Sequence, residues 1–146
     1  MGYSFYMNGH LKFSKELPEN VKAIFREMNN ECELGRKWYR KNFQNRHICA
    51  EWCPWIYDEE NNGLEVIDCV EEYSHNYWFL DWLVWIIESF CIPNGIEMNG
   101  KGHWEDGGRF TVAGNVIETQ GHFDGSDDYK RSIRRLNRLL KKAKPS

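Results

Sequence analysis

The chain has no apolar run long enough to cross a membrane. Its most apolar stretch, Tyr77 to Ile92, is interrupted by Asp81 and Glu88 and is shorter than the roughly 20 residues a span requires. The opening MGYSFYMNGHLKF lacks the basic-then-apolar layout of a secretory leader. Gly2 is followed at position 6 by Tyr, where a myristoylation signal wants Ser or Thr. The five cysteines, Cys32, Cys49, Cys53, Cys69 and Cys91, are an odd number, which with no leader fits reduced thiols in a cytosol. The expectation is a cytoplasmic protein with no membrane partner. With four prolines and no low-complexity tract, no linker is visible, and residues 1–146 read as one domain.

Motifs of catalysis and cofactor binding are also missing. Gly100, Gly102, Gly107 and Gly108 are not followed by the G-K-[ST] of a phosphate loop. His47, Cys49 and Cys53, with Cys69 or His75, offer metal-ligand types, but no second closely spaced pair completes a zinc site. No acid–base pair or nucleophile triad can be located by spacing. The expectation is no enzyme, no catalytic residue, no metal and no cofactor.

Aromatic residues, by contrast, are abundant. Seven Trp, seven Tyr and eight Phe supply enough bulk for a core without disulfides or metal. Tyr3, Phe5, Met7, Leu11 and Phe13 alternate with Ser4, Tyr6, Asn8, His10, Lys12 and Ser14. That period of two predicts a half-buried strand over Gly2–Ser14. Pro18 suits a first helical turn, and Leu17, Val21, Ile24, Phe25 and Met28 predict a helix to about Asn30. Residues 33–46, basic and aromatic, fit either a short helix or an ordered loop. Two strands are expected near Glu51–Tyr57 and Leu64–Val70, joined at Asn61-Asn62-Gly63. Pro54 argues that the first is an edge strand or bulged.

The strongest helix pattern runs from Asn76 to Cys91, with Tyr77, Leu80, Val84, Ile87 and Cys91 in one stripe and Trp78, Trp82 and Trp85 beside it. A helix apolar on so much of its circumference has to be covered on more than one side. Pro93, Asn94 and Gly95 end it. Alternation then returns from Ile96 to Trp104. Arg109–Val112 and Val116–Gln120 form a hairpin across Ala113-Gly114-Asn115. Ser126 caps a last helix with a stripe of Ile133, Leu136, Leu140 and Ala143. The fold class expected is α+β: an antiparallel sheet of about six strands in the order β-α-β-β-α-β-β-β-α. Its first six elements follow a ferredoxin-like split βαβ core, with an added hairpin and C-terminal helix.

Charge is distributed unevenly. Residues 1–50 hold nine Lys/Arg against five Asp/Glu, residues 51–106 one against thirteen, and residues 107–146 nine against four. The net of −3 therefore conceals an acidic middle between basic ends. Such a run is a solvated face, a surface for a basic partner, or a surface neutralised by the basic C-terminal helix. Its densest part is Asp58, Glu59, Glu60, Glu65, Asp68, Glu71 and Glu72. The C-terminal helix carries Arg134, Arg135, Arg138, Lys141 and Lys142, and the basic segment near residue 40 carries Trp38 and Arg40. Cations interleaved with aromatics suit nucleic acid.

Residues 77–117 contain Trp82-Leu83, a Pro93–Gly95 break, Asn99-Gly100 with Trp104, the acidic-glycine turn Glu105–Gly108, and Asn115-Val116. In these features the chain resembles a family of small uncharacterised phage and mobile-element accessory proteins. The resemblance implies a context rich in inhibitors of host defence, of anti-CRISPR or anti-restriction type, and no assigned activity. The functional expectation joins that context to the charge layout. It is a binding protein that acts in the host cytosol and occupies a basic host protein or nucleoprotein complex through the seven acids, whose carboxylates stand in for phosphate. The alternative is a small nucleic-acid-binding module using the basic C-terminal helix. A second alternative is a protein that sequesters a small anionic ligand such as a nucleotide.

Overall fold

The alternating first segment becomes the spine of a sheet. The computed structural model describes residues 5–28, 55–66, 69–70, 77–104, 108–121 and 127–143. Strand β1, Phe5–Phe13, has neighbours on both sides. Its residues Met7 to Phe13 pair with Trp104 to Met98 of β5, Met98–Trp104. On the other side Gly9 to Lys12 pair with Val66 to Gly63 of β3, Gly63–Val66. Phe5 and Tyr6 pair with β4, Cys69–Val70, a two-residue strand. A continuous apolar row on one face makes this central position favourable, because a slip of one residue would expose Leu11 and Phe13.

The sheet order is β2-β3-β1-β5-β6-β7, with β2 at Ile56–Asp58, β6 at Arg109–Ala113 and β7 at Val116–Gln120. Every neighbouring pair is antiparallel. The core order 2-3-1-5 is the split βαβ arrangement expected, extended by the β6–β7 hairpin. β2 lies at the edge, the position expected from Pro54 next to it.

Helix α1, Glu19–Met28, begins where the Val21 and Lys22 amides donate to the Pro18 carbonyl, each at 3.0 Å. Leu17, Val21 and Phe25 are buried at helical spacing. The Phe25 ring sits 5.9 Å from Phe13 and meets Tyr57 and Phe90 edge-on at 5.5 and 5.3 Å. Helix α2, Tyr77–Ile86, has Leu80 and Trp82 to Ile86 all buried. It is covered on a second side by helix α3, Asp127–Ala143, as its all-round apolarity requires.

α2 widens into a π turn over Ile87–Cys91, where the Ile92 amide donates back to the Ile87 carbonyl. A 3-10 turn over Ile92–Asn94 follows, and Gly95 at φ 63° ends it in the left-handed region. Leu136 and Leu140 dock α3 into the same core, and α3 also packs on β7. The core therefore lies between one face of the sheet and the helices.

The hairpin turn is two residues, Gly114 and Asn115, with φ of 54° and 70°, the geometry of a type I′ turn. Asn115 is buried. Its Oδ1 accepts the Met98 amide at 2.7 Å, and its Nδ2 donates to the Ile96 carbonyl at 2.9 Å. The Gly114 amide donates to Asn99 Oδ1 at 2.7 Å. The turn is thus fastened to the start of β5. Gly102 matters for a different reason: a Cβ there would lie 2.4 Å from the Phe110 ring, which packs edge-on against Trp55.

Candidate functional site

One face of the sheet has helices on it; the other face carries polar side chains. Parity places them there. With Leu11, Phe13, Met98, Phe110 and Val112 turned to the core, the intervening residues leave by the opposite face. The strand registers then set them in rows. Asn8, His103, Arg109 and Gln120 form one row across β1, β5, β6 and β7. His10, Lys101, Thr111 and Glu118 form the next, with Glu65 of β3 on the other side of His10. Lys12 and Asn99 begin a third.

These rows contain two diagonals. Lys12, Lys101 and Arg109 each step one strand over and one row down. With strands about 4.8 Å apart and same-face residues about 6.8 Å apart along a strand, successive cations are spaced about 8 Å. His10 and His103 make a parallel diagonal beside them. All five are exposed. Over this face lies a cavity of about 1180 Å³, lined by the two diagonals together with Asn8, Asn99, Thr111 and Gln120. Among the described residues no carboxylate lines it. Glu65 borders it, its Oε2 3.8 Å from His10 Nδ1.

A row of fixed cations beside a row of flat, hydrogen-bonding rings matches a polymer with phosphates along one edge and bases along the other. The volume exceeds the roughly 300–1,000 Å³ of ordinary small-molecule pockets. Sequence reasoning missed this site. The alternation of β1 and β5 showed that Asn8, His10, Lys12, Asn99, Lys101 and His103 turn away from the core. What it did not show is that β1 and β5 are neighbours and that β6 brings Arg109 alongside.

Of the acidic candidates, Glu65 borders this face and Asp58 continues the Lys12 row across Gly63. Asp58, Glu59 and Glu60 stand at the β2–β3 turn. Asp58 accepts the Asn61 amide and side chain at 3.2 and 2.8 Å. Glu59 receives Arg26 of α1 in a two-pronged pair at 2.5 and 3.0 Å, and that hydrogen bonding holds its carboxyl below the ordinary value. Arg26 also binds Glu19 at 2.9 Å. Glu59 thus belongs to the helix side of the sheet, whereas Glu65 belongs to the open face. Glu60 is exposed. Asp68, Glu71 and Glu72 lie outside the described residues, as do Trp38 and Arg40 and the candidate zinc ligands, apart from the backbone of Cys69.

Among the described residues, the C-terminal helix does not lie over the acidic β2–β3 turn. α3 packs on α2 and β7, while the acidic turn borders β2. Five strand spacings separate those edges, about 24 Å. Arg135 instead approaches Glu88 at 3.6 Å. Arg134, Arg138, Lys141 and Lys142 are exposed on α3. Among the described residues no group of His, Cys, Asp and Glu has metal-binding geometry, and no helix is long and apolar enough to cross a membrane. No family model, curated protein or solved structure matches the chain.

Proposed function

We propose that this protein binds single-stranded nucleic acid across the open face of its sheet. The observation that carries the reading is the cationic diagonal Lys12–Lys101–Arg109 beside His10 and His103, in a cavity that no described carboxylate lines. Phosphates lie along the cations. Bases stack on the imidazoles and on the Arg109 guanidinium, and the amides of Asn8, Asn99 and Gln120 reach their edges. A duplex fits less well, because its bases are stacked inside and expose no flat face to the rings.

The test is fluorescence anisotropy with a labelled oligothymidylate, on the parent and on a Lys101→Gln/Arg109→Gln variant. Both side chains are exposed, so the variant's stability should stay within about 0.5 kcal/mol of the parent's. Binding should weaken by more than about tenfold, and the slope of log K against log salt should fall by about 1.4, two phosphates at roughly 0.7 each. Unchanged affinity in the variant would overturn the reading.

A second reading is the inhibitor of a basic host factor in a phage or mobile-element setting. What favours it is that Asp58, Glu60 and Glu65 lie across the sheet from α3 and are not cancelled by its cations. It predicts that protection of an infecting phage from a restriction or CRISPR defence is lost in Asp58→Lys/Glu60→Lys and kept in Lys101→Gln/Arg109→Gln. The first reading predicts instead that oligothymidylate binding is weakened in Lys101→Gln/Arg109→Gln and kept in Asp58→Lys/Glu60→Lys.

A further inference from the structure

The cationic diagonal runs from Lys12 on β1 to Arg109 on β6, where the row ends in Gln120, the last residue of β7. α3 begins at Asp127, seven residues on from the end of β7, and packs against β7 itself. The diagonal therefore descends toward the edge of the sheet that α3 borders.

α3 is built to present charge there. At 100° per residue, Ile133, Leu136 and Leu140 cluster on one side, and Leu136 and Leu140 are buried. Arg134, Arg138 and Lys142 fall on the opposite side, Lys130 and Lys141 lie on its flank, and all five are exposed. Lys130, Arg134, Arg138 and Lys142 recur every fourth residue, so successive cations rise about 6 Å along the helix. That is a second cationic track, on a rigid element that packs against β7, the strand next to Arg109. Arg135, off this track, approaches Glu88 at 3.6 Å, and the carboxylates of α3 itself are Asp127 and Asp128 at its start.

We infer that the outer face of α3 holds the continuation of the same strand after it passes the β7 edge, as a contact to phosphates only. This rests on the sheet-face reading above and adds a second segment to it. The sheet face takes a few nucleotides with their bases, and α3 takes the following backbone without reading bases, since that face offers only flexible ammonium and guanidinium groups. A further consequence is a length threshold: a strand too short to pass the edge gains nothing from α3.

The experiment compares oligothymidylates of about four and about twelve nucleotides, bracketing the site sizes of such proteins. Three proteins are used: the parent, Arg134→Gln/Arg138→Gln/Lys142→Gln, and Lys101→Gln/Arg109→Gln. The parent should bind the long oligomer more than about tenfold tighter than the short one, beyond the gain expected from extra binding registers alone. The helix variant should bind the short oligomer like the parent, lose most of the length gain, and lower the salt slope on the long oligomer by about 2. Circular dichroism should show α3 intact.

A helix variant that keeps both the length gain and the salt slope overturns the inference and leaves the sheet-face reading standing. If the Lys101→Gln/Arg109→Gln variant binds both oligomers like the parent, the sheet-face reading fails, and with it the continuity proposed here. That holds even if the helix variant then abolishes binding.

Discussion

At the scale of the residue, Asn115 shows how one side chain serves two demands. Its backbone occupies the left-handed region at φ 70°, which Asn tolerates better than most residues. Its amide closes two hydrogen bonds to the strand start at Ile96 and Met98 inside the core. The two demands separate by substitution. Asn115→Gly keeps the backbone freedom and loses both bonds, leaving the Met98 amide buried, for a cost of about 2 kcal/mol. Asn115→Ala adds the left-handed penalty, about 1 kcal/mol more. Urea unfolding of the two variants checks both steps; equal stabilities would show that the bonds alone matter.

Cys91 is a free thiol buried at the end of the π turn, and burial pushes its pKa up to about 12. A thiol raised above its unfolded value of about 8.5 favours the folded state only while protonated. Its contribution is complete below about pH 8.5 and is lost as pH rises from there toward 12. The parent should lose stability across that window more steeply than Cys91→Ala, measured as urea midpoints at stepped pH. Parallel curves for the two proteins would contradict the assignment.

At the scale of the element, legibility followed periodicity. β1, β5, the β6–β7 hairpin and the three described helices all carry unbroken two- or 3.6-residue patterns, and each lies where its pattern predicts. The strands with mixed signals came out shorter. The run expected over Leu64–Val70 is β3 with the separate two-residue β4, and the described part of Glu51–Tyr57 contributes only Ile56 and Tyr57 to β2. The π turn over Ile87–Cys91 was not legible, because an extra residue in one turn leaves the apolar composition unchanged while rotating Phe90 onto Phe25 and Trp85. The site was half legible: alternation identifies its side chains, but adjacency of strands distant in sequence is a tertiary fact.

α3 gives an element-scale prediction. Its repeated cations repel one another along one face, and isolated helices of about 15 residues are marginal in water. Docking through Leu136 and Leu140 therefore holds it in place. Leu136→Ala should cost about 2–5 kcal/mol, and loss of helical circular dichroism at a temperature where the parent is intact would be the sign. A variant that melts with the parent would mean that α3 is held by something other than this stripe.

At the scale of the whole molecule, a protein of net charge −3 is proposed to bind a polyanion, so the placement of charge has to outweigh its sum. The sheet acts as the spacer. It sets the acidic β2–β3 turn about 24 Å from the α3 border, several Debye lengths away at about 0.15 M salt. Glu65 and Glu118 share the row that holds His10 and Lys101, and Asp58 lies two strands from Lys12 in its row, across Gly63. Glu65 and Glu118 are each partly or fully exposed and about 5 to 10 Å from the nearest basic position in their row. At that range in a watery dielectric each repels a phosphate on the track by about 0.5 kcal/mol. Glu65→Gln/Glu118→Gln should therefore tighten oligothymidylate binding by about three- to fivefold in low salt. The gain should shrink toward nothing near 1 M, where the screening length is about 3 Å. Stability should scarcely change, since the His10–Glu65 pair is exposed and such pairs contribute about 0–1 kcal/mol. The sign of the affinity change is what decides. If these two acids instead contact the partner, as in a surface that docks a basic protein, removing them weakens binding of that protein and leaves oligothymidylate affinity where it was.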